Sequence, residues 1–355
     1  MEYGVAFASE VDSWQWTKRA EELGYSSAWF YDTQLLNPDV FICMTLAAAH
    51  TDKIRLGTGV LVPTNRIEPV TANAFASLNK LAPGRIDFGI GTGFTARRTM
   101  GLNAVPLGQT RAYIERVQSL LRGETIEWDF EGKDRKIRFL NPDLGLINID
   151  DEIPLWVSAF GPKARQMTAE LDAGWLNFGA GDGALQGLSD MQSAWQQAGR
   201  NSQDLKSALF TVGSVLTGDK AVDDAKVMAE AGPYTAVIFH GAADTAGMFE
   251  SHKPEGPMGD LLESYLETHR SYEPADARYL QNHRGHLMFV RPEETHLNPA
   301  LVRATSMSGT RNELVDQVGR LKEAGYGQLT VQLIHGHEEA LEEWAEVFTL
   351  SGLQS

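Results

Sequence analysis

The chain has 355 residues, 43% of them hydrophobic and 22% charged, so it is long enough to bury a large core. A formal charge of -16 argues against a nucleic-acid partner or an anionic membrane surface, because both need a basic face. A single cysteine, Cys43, excludes an intramolecular disulfide, and no apolar run approaches the roughly 20 residues of a membrane span, so we expect a cytoplasmic protein.

One pattern recurs along the chain: a helical segment ends in glycine, and a strand follows at once, usually through an aromatic residue. Its copies are AEELGYSSAWFYD at Gly24, AELDAGWLNFG at Gly174 and LKEAGYGQLTVQL at Gly325, with a looser copy at Gly84. Glycine ends a helix in the left-handed conformation, and the apolar run after it is typical of a buried parallel strand. The pattern predicts strands near 3–8, 27–32, 54–61, 85–91, 154–159, 175–179, 207–216 and 328–334.

Strands that alternate with helices in this way predict an α/β fold, a (βα)8 TIM barrel that forms one domain over residues 1–355. A doubly wound open sheet is the alternative. Residues 124–142 alternate like a hairpin with a turn near Gly132, which predicts a β-ribbon inserted before strand five. Residues 240–308 separate strands seven and eight and hold six of the nine histidines, which indicates an inserted lid or pocket wall.

The predicted strand ends are rich in glycine and hydroxyl groups and poor in carboxylates. A glycosidase barrel needs two carboxylates, and only Asp32 is well placed. The HGH triplet at 335–337 stands alone after the last strand, so we expect no metal site there. This composition suits a flat ligand that lies against bare backbone.

Three further motifs stand at predicted strand ends. Gly57 and Gly59, followed by Pro63, interrupt strand three and indicate a bulge at the barrel mouth, and Gly91 and Gly93 follow strand four. The stretch PLWVSAFGPKARQMTAE runs from a strand into a helix that starts at 161–163. A helix N-terminus with a lysine beside it suits phosphate, although many such junctions bind nothing.

Taken together, these motifs resemble those of the bacterial luciferase-like superfamily of flavin- and deazaflavin-dependent TIM-barrel oxidoreductases. The resemblance rests on AEELGYSSAWFYD, IRLGTGVLVPTNRIEPVTANAFASLNKLAPGRIDFGIGTG and VSAFGPKARQMTAELDAGWLNFGA. It is closest to the branch that contains methylenetetrahydromethanopterin reductase and other coenzyme F420-dependent enzymes. The motifs are specific in their order, but they do not specify a substrate.

The resemblance implies a cofactor, coenzyme F420 or FMN, whose ring lies over the bulge after strand three. In relatives this bulge holds a non-prolyl cis peptide, which would fall near Gly59-Val60 here. The phosphate would bind the backbone N–H groups of Gly161, Lys163 and Ala164. The full set of cofactor-binding residues implied in this way is Phe7, Thr58, Gly59, Val60, Asn65, Gly91, Thr92, Gly93, Ser158, Gly161, Pro162, Lys163, Ala164, Phe178 and Gly179.

The catalytic residues are less well defined by the resemblance. Relatives often carry Asp-His after strand two, and this chain has Asp32-Thr33. Within the long insertion, YLQNHRGHLMF sets His283 and His286 three residues apart, so either histidine could donate a proton in place of the missing one. A purely structural histidine pair is the alternative reading. Asp32, His283 and His286 are therefore the predicted catalytic residues.

The implied activity is hydride transfer between F420, or FMN, and a small organic substrate. The first alternative is an FMN-dependent monooxygenase that uses O2 and a partner flavin reductase. The second is a non-catalytic flavin-binding protein, and the third is a sugar-phosphate enzyme. The oligoglutamate tail of F420 would favour a basic rim, which Arg66, Arg97 and Arg98 could form; the alternative is that these arginines are ordinary solvated surface residues. The family suggests a homodimer formed through helices two and three.

Overall fold

The computed structural model describes residues 1–245 and 256–352. Its strands, numbered in chain order, are β1 (Glu2–Phe7), β2 (Ser27–Phe30), β3 (Arg55–Thr58), β4 (Ile86–Ile90), β5 (Ile126–Phe130), β6 (Lys133–Ile137), β7 (Leu155–Ser158), β8 (Gly174–Phe178), β9 (Ser207–Thr211), β10 (Val215–Leu216), β11 (Gly309–Thr310) and β12 (Gln328–Leu333). Eight of these strands close a parallel barrel in the order β1-β12-β9-β8-β7-β4-β3-β2. Closure joins β1 to both β2 and β12, with Val5 opposite Ala28 and Val331. The prediction of a TIM barrel is thus confirmed, and an open sheet is excluded.

Helices connect the barrel strands and cover their outer face. They are α1 (Trp14–Glu22), α2 (Val40–His50), α3 (Glu68–Leu81), α4 (Phe94–Arg98), α5 (Leu107–Leu121), α6 (Pro162–Glu170), α7 (Gly181–Gln197), α8 (Lys220–Glu230), α9 (Gly232–Asp244), α10 (Pro257–Arg270), α11 (Tyr279–Asn282), α12 (Pro299–Thr305), α13 (Arg311–Ala324) and α14 (Ala340–Leu350). Short 3-10 turns lie at Pro142–Leu144 and Ser202–Asp204. None of the helices in the described ranges is both long and apolar enough to cross a bilayer.

Two layers of apolar side chains hold the barrel together. The outer layer lies between strands and helices, where the ring of Phe348 on α14 stacks on Tyr3 with 4.3 Å between centroids. The inner layer fills the barrel, where Trp29 contacts Trp156 and Phe210 edge to face. Aromatic side chains bury much apolar area each, so these contacts stabilise the closed sheet.

The predicted helix-ending glycines are correct at Gly24 and Gly325, which have positive φ, as a left-handed helix end requires. Gly84 also has positive φ, but the C-cap of α3 is Ala82, and Gly84 lies in the turn before β4. Gly174 is instead the first residue of β8, and Asp172 takes the left-handed position after α6. Glycine is needed at 174 for packing, because a Cβ there would lie 2.3 Å from Cε3 of Trp156.

The predicted strand 207–216 is wrong as one element. The barrel strand β9 ends at Thr211, and β10 pairs with β11 outside the barrel. The chain leaves the barrel because Met307 lies against it: the Met307 N–H donates to the Val212 carbonyl at 2.8 Å. Only glycine fits at 213, where a Cβ would lie 1.8 Å from the Met307 carbonyl oxygen.

Two segments add further elements to the eight-stranded barrel. Strands β5 and β6 form an antiparallel hairpin, and Glu131 and Gly132 at its turn both have positive φ, as tight hairpin turns require. Between β9 and β12 the described chain forms helices α8 to α13 and the short strands β10 and β11. Helix α9 begins at Gly232, ahead of the predicted start of the insertion, and residues 246–255 of the predicted lid lie outside the described residues.

Candidate cofactor and active site

A cavity of about 500 Å³ opens at the carboxyl ends of the barrel strands, which is the end that carries the active sites of TIM-barrel enzymes. Its size is in the usual range for small-ligand sites. The floor is Leu176 and Phe210 from inside the barrel, and helix α9 covers one side. The residues that line the cavity are Tyr31, Asp32, Thr33, Gly59, Val60, Val62, Gly91, Thr92, Gly93, Phe94, Thr95, Ala96, Ser158, Phe160, Leu176, Asn177, Phe178, Phe210, Tyr234, Val237, His286 and Leu287.

One wall of the cavity is the bulge that the sequence predicted after strand three. The peptide between Gly59 and Val60 is cis, at the position that the resemblance implied. Backbone hydrogen bonds hold the bulge on both sides: the Gly59 N–H donates to the Phe30 carbonyl of β2 at 2.7 Å, and the Leu61 N–H donates to the Gly89 carbonyl of β4 at 2.8 Å. A Cβ at residue 91 would lie 2.8 Å from Cγ2 of Val60, so glycine there keeps the wall open.

Asp32 lines the cavity, and its carboxylate is already bonded on both oxygens. Oδ2 accepts hydrogen bonds from the Val62 N–H and from Nδ2 of Asn65, each at 3.0 Å. Oδ1 accepts from Nη1 of Arg66 at 3.0 Å, and the Asp32 side chain is 4% exposed. This arrangement ties the loop after β3 to the end of β2. The observed contacts of Asp32 thus hold the cavity wall in place, and its catalytic role stays a prediction.

Eight of the fifteen predicted cofactor residues lie outside the cavity lining, and three of them, Phe7, Thr58 and Asn65, make internal contacts instead. The hydroxyl of Thr58 donates to the Gly89 carbonyl at 2.6 Å and accepts from the Gly89 N–H, so Thr58 joins β3 to β4. The ring of Phe7 lies in the outer core beside Phe30. The Asn65 side chain bonds Asp32. Strand alternation explains Phe7, because successive side chains point to opposite faces of the barrel wall.

The helix start at 161–164 directly adjoins the cavity. Phe160 lines the cavity, and Gly161 caps helix α6 without a side-chain hydrogen bond. The Ala164 N–H already donates to the Gly161 carbonyl at 3.1 Å, so within the described residues the N–H groups of Gly161 and Lys163 are left as donors. Both of these residues are exposed, and Pro162 has no N–H to offer. The positive end of the helix dipole thus faces solvent beside the cavity mouth.

Of the remaining predicted cofactor residues, four line the cavity and one does not. Thr92, Gly93, Ser158 and Phe178 line the cavity. Gly179 lies one residue beyond the lining, and its N–H donates to the Phe210 carbonyl at 2.9 Å.

The two predicted histidines have different positions. His286 lines the cavity, and His283 lies behind it, with 6.2 Å between ring centroids. Nε2 of His283 is 3.1 Å from Oδ2 of Asp244. Burial, with the nearby imidazoles of His283 and His240, lowers the pKa of His286 well below its usual value. His286 is therefore neutral near pH 7, so it can make hydrogen bonds but does not store a proton as an imidazolium.

The predicted basic rim is largely committed to internal contacts. Arg66 pairs with Asp32 and Asp39. Arg98 lies 4.3 Å from the centroid of the Phe94 ring and donates from Nη1 to the Asp244 carbonyl at 3.1 Å. Among the three arginines, only Arg97 has no carboxylate partner within the described chain. Two of the three arginines that were expected to bind the F420 tail therefore have internal partners instead.

The carboxylate of Glu10 lies beside His335 of the HGH triplet, which stands alone in the sequence. Within the described residues, Glu10, His335 and Glu338 bring possible ligand atoms within 4.8 Å of one another. Nδ1 of His335 contacts Oε1 of Glu10, and Glu338 lies beside this pair.

Sequence reasoning missed several cavity residues. Tyr31 and Phe160 stood within the predicted strand ends but were not singled out. Tyr234 and Val237 lie on α9, ahead of the predicted insertion, and their spacing of three places both on one helix face. The Gly-Pro start at 232–233 could have predicted the start of this helix, since proline is favoured in the first turn.

The fold and the cavity define a TIM-barrel protein with a ligand site at the carboxyl ends of its strands, bounded by a cis-peptide bulge. Residues 12–328 match the family described as luciferase-like monooxygenase, and the chain belongs to this family. It is a family of F420- or flavin-dependent oxidoreductases and monooxygenases.

Individual relatives are similar to this chain at moderate identity. The chain is 25% identical over 344 residues to 5,10-methylenetetrahydromethanopterin reductase of Archaeoglobus fulgidus, covering 93% of this chain and 92% of that protein. It is 32% identical over 183 residues to the F420-dependent glucose-6-phosphate dehydrogenase of Beutenbergia cavernae, covering 45% and 50%. The structure of the coenzyme F420-dependent tetrahydromethanopterin reductase of Methanopyrus kandleri superposes with a TM-score of 0.69 at 22% identity, covering 97% of each chain.

Proposed function

We propose that this protein is an oxidoreductase that transfers hydride between coenzyme F420 and a small organic substrate. The observation that carries the proposal is the cavity. In it the cis bulge at Gly59-Val60 lies beside the bare backbone of Gly91 and Gly93, and the start of α6, which has no side-chain cap, lies at the cavity mouth. A flat ring fits against such backbone, and a phosphate suits a helix N-terminus. Bound F420 would supply the hydride chemistry, and the protein would position the ring and exclude water.

The names of the relatives favour F420 over FMN. The Beutenbergia cavernae enzyme and the Methanopyrus kandleri enzyme are both described as F420-dependent. The family description favours the second candidate, an FMN-dependent monooxygenase that would need reduced flavin from a partner reductase. The open cavity of about 500 Å³ is in the usual range for small-ligand sites, so the described part of the chain between β9 and β12 does not fill the barrel mouth, as it would in the collapsed site of a protein without a substrate.

Titration of the purified apo-protein with F420 and with FMN tests this proposal, with tryptophan fluorescence as the signal. We expect F420 to bind more tightly than FMN. Lys163→Glu should weaken binding of either cofactor about tenfold, because it places a negative charge at the proposed phosphate site. The matched control is Lys206→Glu, the same charge change at the amino end of β9. Absence of binding by both cofactors, or equal effects of the two variants, would contradict the proposal.

We also propose that the protein is a homodimer that pairs through α2 and α3. Ile42 on α2 is 56% exposed and Val70 on α3 is 50% exposed, and Ile67 next to α3 is exposed as well. Exposed aliphatic side chains on adjacent helices suit a protein interface. Light scattering should give twice the 39.1 kDa mass of the chain.

A further inference from the structure

The charges around the cavity bear on the kind of substrate it takes. Among the described residues that line it, the ionisable side chains are Tyr31, Asp32, Tyr234 and His286, and neither lysine nor arginine occurs. Asp32 is bonded on both oxygens by the loop after β3. His286 is neutral near pH 7, as its buried position dictates. The cavity therefore presents no positive charge to a ligand.

The three arginines of the predicted rim do not change this conclusion. Arg97 has no carboxylate partner within the described chain, but its guanidinium donates to the Asn103 carbonyl and to the Thr64 hydroxyl, and neither residue lines the cavity. Arg98 packs on Phe94 of the lining, but its guanidinium lies 3.7 Å from the Asp244 carboxylate. Arg66 is bound by Asp32 and Asp39. An anionic ligand inside the cavity would give up its hydration without gaining a cation, which is unfavourable.

The wall away from the bulge is mostly apolar. Helix α9 contributes Tyr234 and Val237, and these pack with Tyr31 and Leu287 in one cluster. Phe160 borders the same cavity. Carbon-rich surfaces of this kind bind apolar ligand groups by removing them from water.

Two polar groups interrupt this apolar wall and have no partner among the described residues. The hydroxyl of Tyr31 is buried without a hydrogen bond, and so is Nδ1 of His286. Tyr31 belongs to the same apolar cluster as Leu287, the neighbour of His286, and Tyr31 and His286 both line the cavity. A buried polar group without a partner costs free energy, and a bound ligand can supply the missing partner.

From these observations we infer that the substrate is an uncharged, mainly apolar carbonyl compound whose oxygen is held by the Tyr31 hydroxyl and the His286 imidazole. This inference rests on the proposed function and specifies its substrate class. A carbonyl oxygen has two lone pairs, which match two donors. In the reductive direction a C–H bond forms with the hydride, the π pair of the C=O bond moves to oxygen, and a proton from water completes the hydroxyl. The two donors stabilise the charge that develops on that oxygen.

The test compares two ketones that differ only in charge: cyclohexanone and 4-oxocyclohexanecarboxylate. Their dissociation constants are measured by ligand-observed NMR, both on the apo-protein and on the protein saturated with oxidised F420, in which no turnover occurs. We expect cyclohexanone to bind at least tenfold more tightly. Glucose 6-phosphate, the substrate named for the Beutenbergia cavernae relative, should not bind measurably.

A pair of variants tests the role of the Tyr31 hydroxyl. Tyr31→Phe should weaken cyclohexanone binding about fivefold or more and leave the F420 dissociation constant unchanged. The control Tyr3→Phe removes a hydroxyl outside the cavity, which bonds the Ser351 carbonyl at 3.3 Å, and should change neither constant. Equal or tighter binding of the carboxylate or of glucose 6-phosphate would overturn the inference, and so would full cyclohexanone affinity in Tyr31→Phe. If neither F420 nor FMN binds, the proposed function fails, and the apo-protein measurements still decide the charge preference.

Discussion

Replacing Asp32 with asparagine tests whether this residue holds the cavity wall in place or takes part in proton transfer. The side chain is 4% exposed and accepts three hydrogen bonds, one of them from Arg66. Removing one charge from a buried pair costs about 3–5 kcal/mol. Arg66 still pairs with Asp39 in the variant, and the asparagine amide still offers one acceptor oxygen. We therefore take the lower end of this range, about 3 kcal/mol, as the loss in the free energy of unfolding. With about 2.1 cal/mol/K of unfolding entropy per residue, 355 residues give about 0.75 kcal/mol/K, so the unfolding midpoint should fall by about 4 °C.

The assay combines thermal unfolding by circular dichroism with fluorescence titration of F420 and FMN. Asp32→Asn should weaken cofactor binding about tenfold, because either orientation of the amide gives up a bond that fixes the loop after β3, and Val62 of this loop lines the cavity. Asp87→Asn is the matched control: Asp87 is also 4% exposed and pairs with Arg55 at 2.8 Å, but at the amino end of the barrel. It should lower the midpoint similarly and leave cofactor binding unchanged. A variant at 32 that keeps its midpoint and its cofactor affinity, but loses turnover a thousandfold, would refute the wall-building role.

Two further perturbations test the cavity and the core. Gly91→Ala places a Cβ 2.8 Å from Cγ2 of Val60, so cofactor affinity should fall at least tenfold in the fluorescence titration. The control Gly108→Ala meets open space and should have no effect on this affinity. Equal cofactor affinities of the two variants would contradict the packing argument. Burial raises the pKa of Glu230 to about 7, against 4.5 for the ordinary side chain. Between these two pH values native Glu230 retains its proton while the unfolded chain has lost it. The free energy of unfolding therefore falls by about 3 kcal/mol in total as the pH rises from about 4.5 to about 7. Glu230→Gln should remove this loss, and urea unfolding at pH 5 and pH 8 measures it; the same pH dependence in the variant and the wild type would show that Glu230 ionises normally.

The cofactor side of the cavity follows from local sequence to a large extent. The glycines at 59, 91 and 93 stand directly after predicted strands, and parallel strands of a barrel end at one rim, so their meeting could be expected without coordinates. The cis peptide at 59–60 was placed by the resemblance, because no local propensity identifies a cis bond outside proline. The partners of Asp32 could not be predicted, since the residues that bind it lie 30 to 34 positions away.

The substrate side depends on distant contacts and was predicted less well. The spacing of His283 and His286 suggested two equivalent proton donors, but α11 ends at Asn282, and the two rings occupy different surroundings. His283 meets Asp244 from another helix, and His286 faces the cavity. Environment, which sequence does not show, decides which imidazole can touch a ligand and whether it carries a charge.

Asp244 connects the two sides of the cavity. Its carbonyl accepts from Nη1 of Arg98 at 3.1 Å, and Arg98 ends α4, the helix that begins right after the glycines of the cofactor wall. Its carboxylate accepts from Nδ2 of Asn282 at 2.9 Å and lies 3.1 Å from Nε2 of His283. One buried residue at the end of α9 thus fixes the covering helix to the cofactor wall and to the segment that carries His286. The side chains of α9 that face the cavity, Tyr234 and Val237, take no part in these bonds, so they can change with the substrate while the frame around the cofactor stays in place.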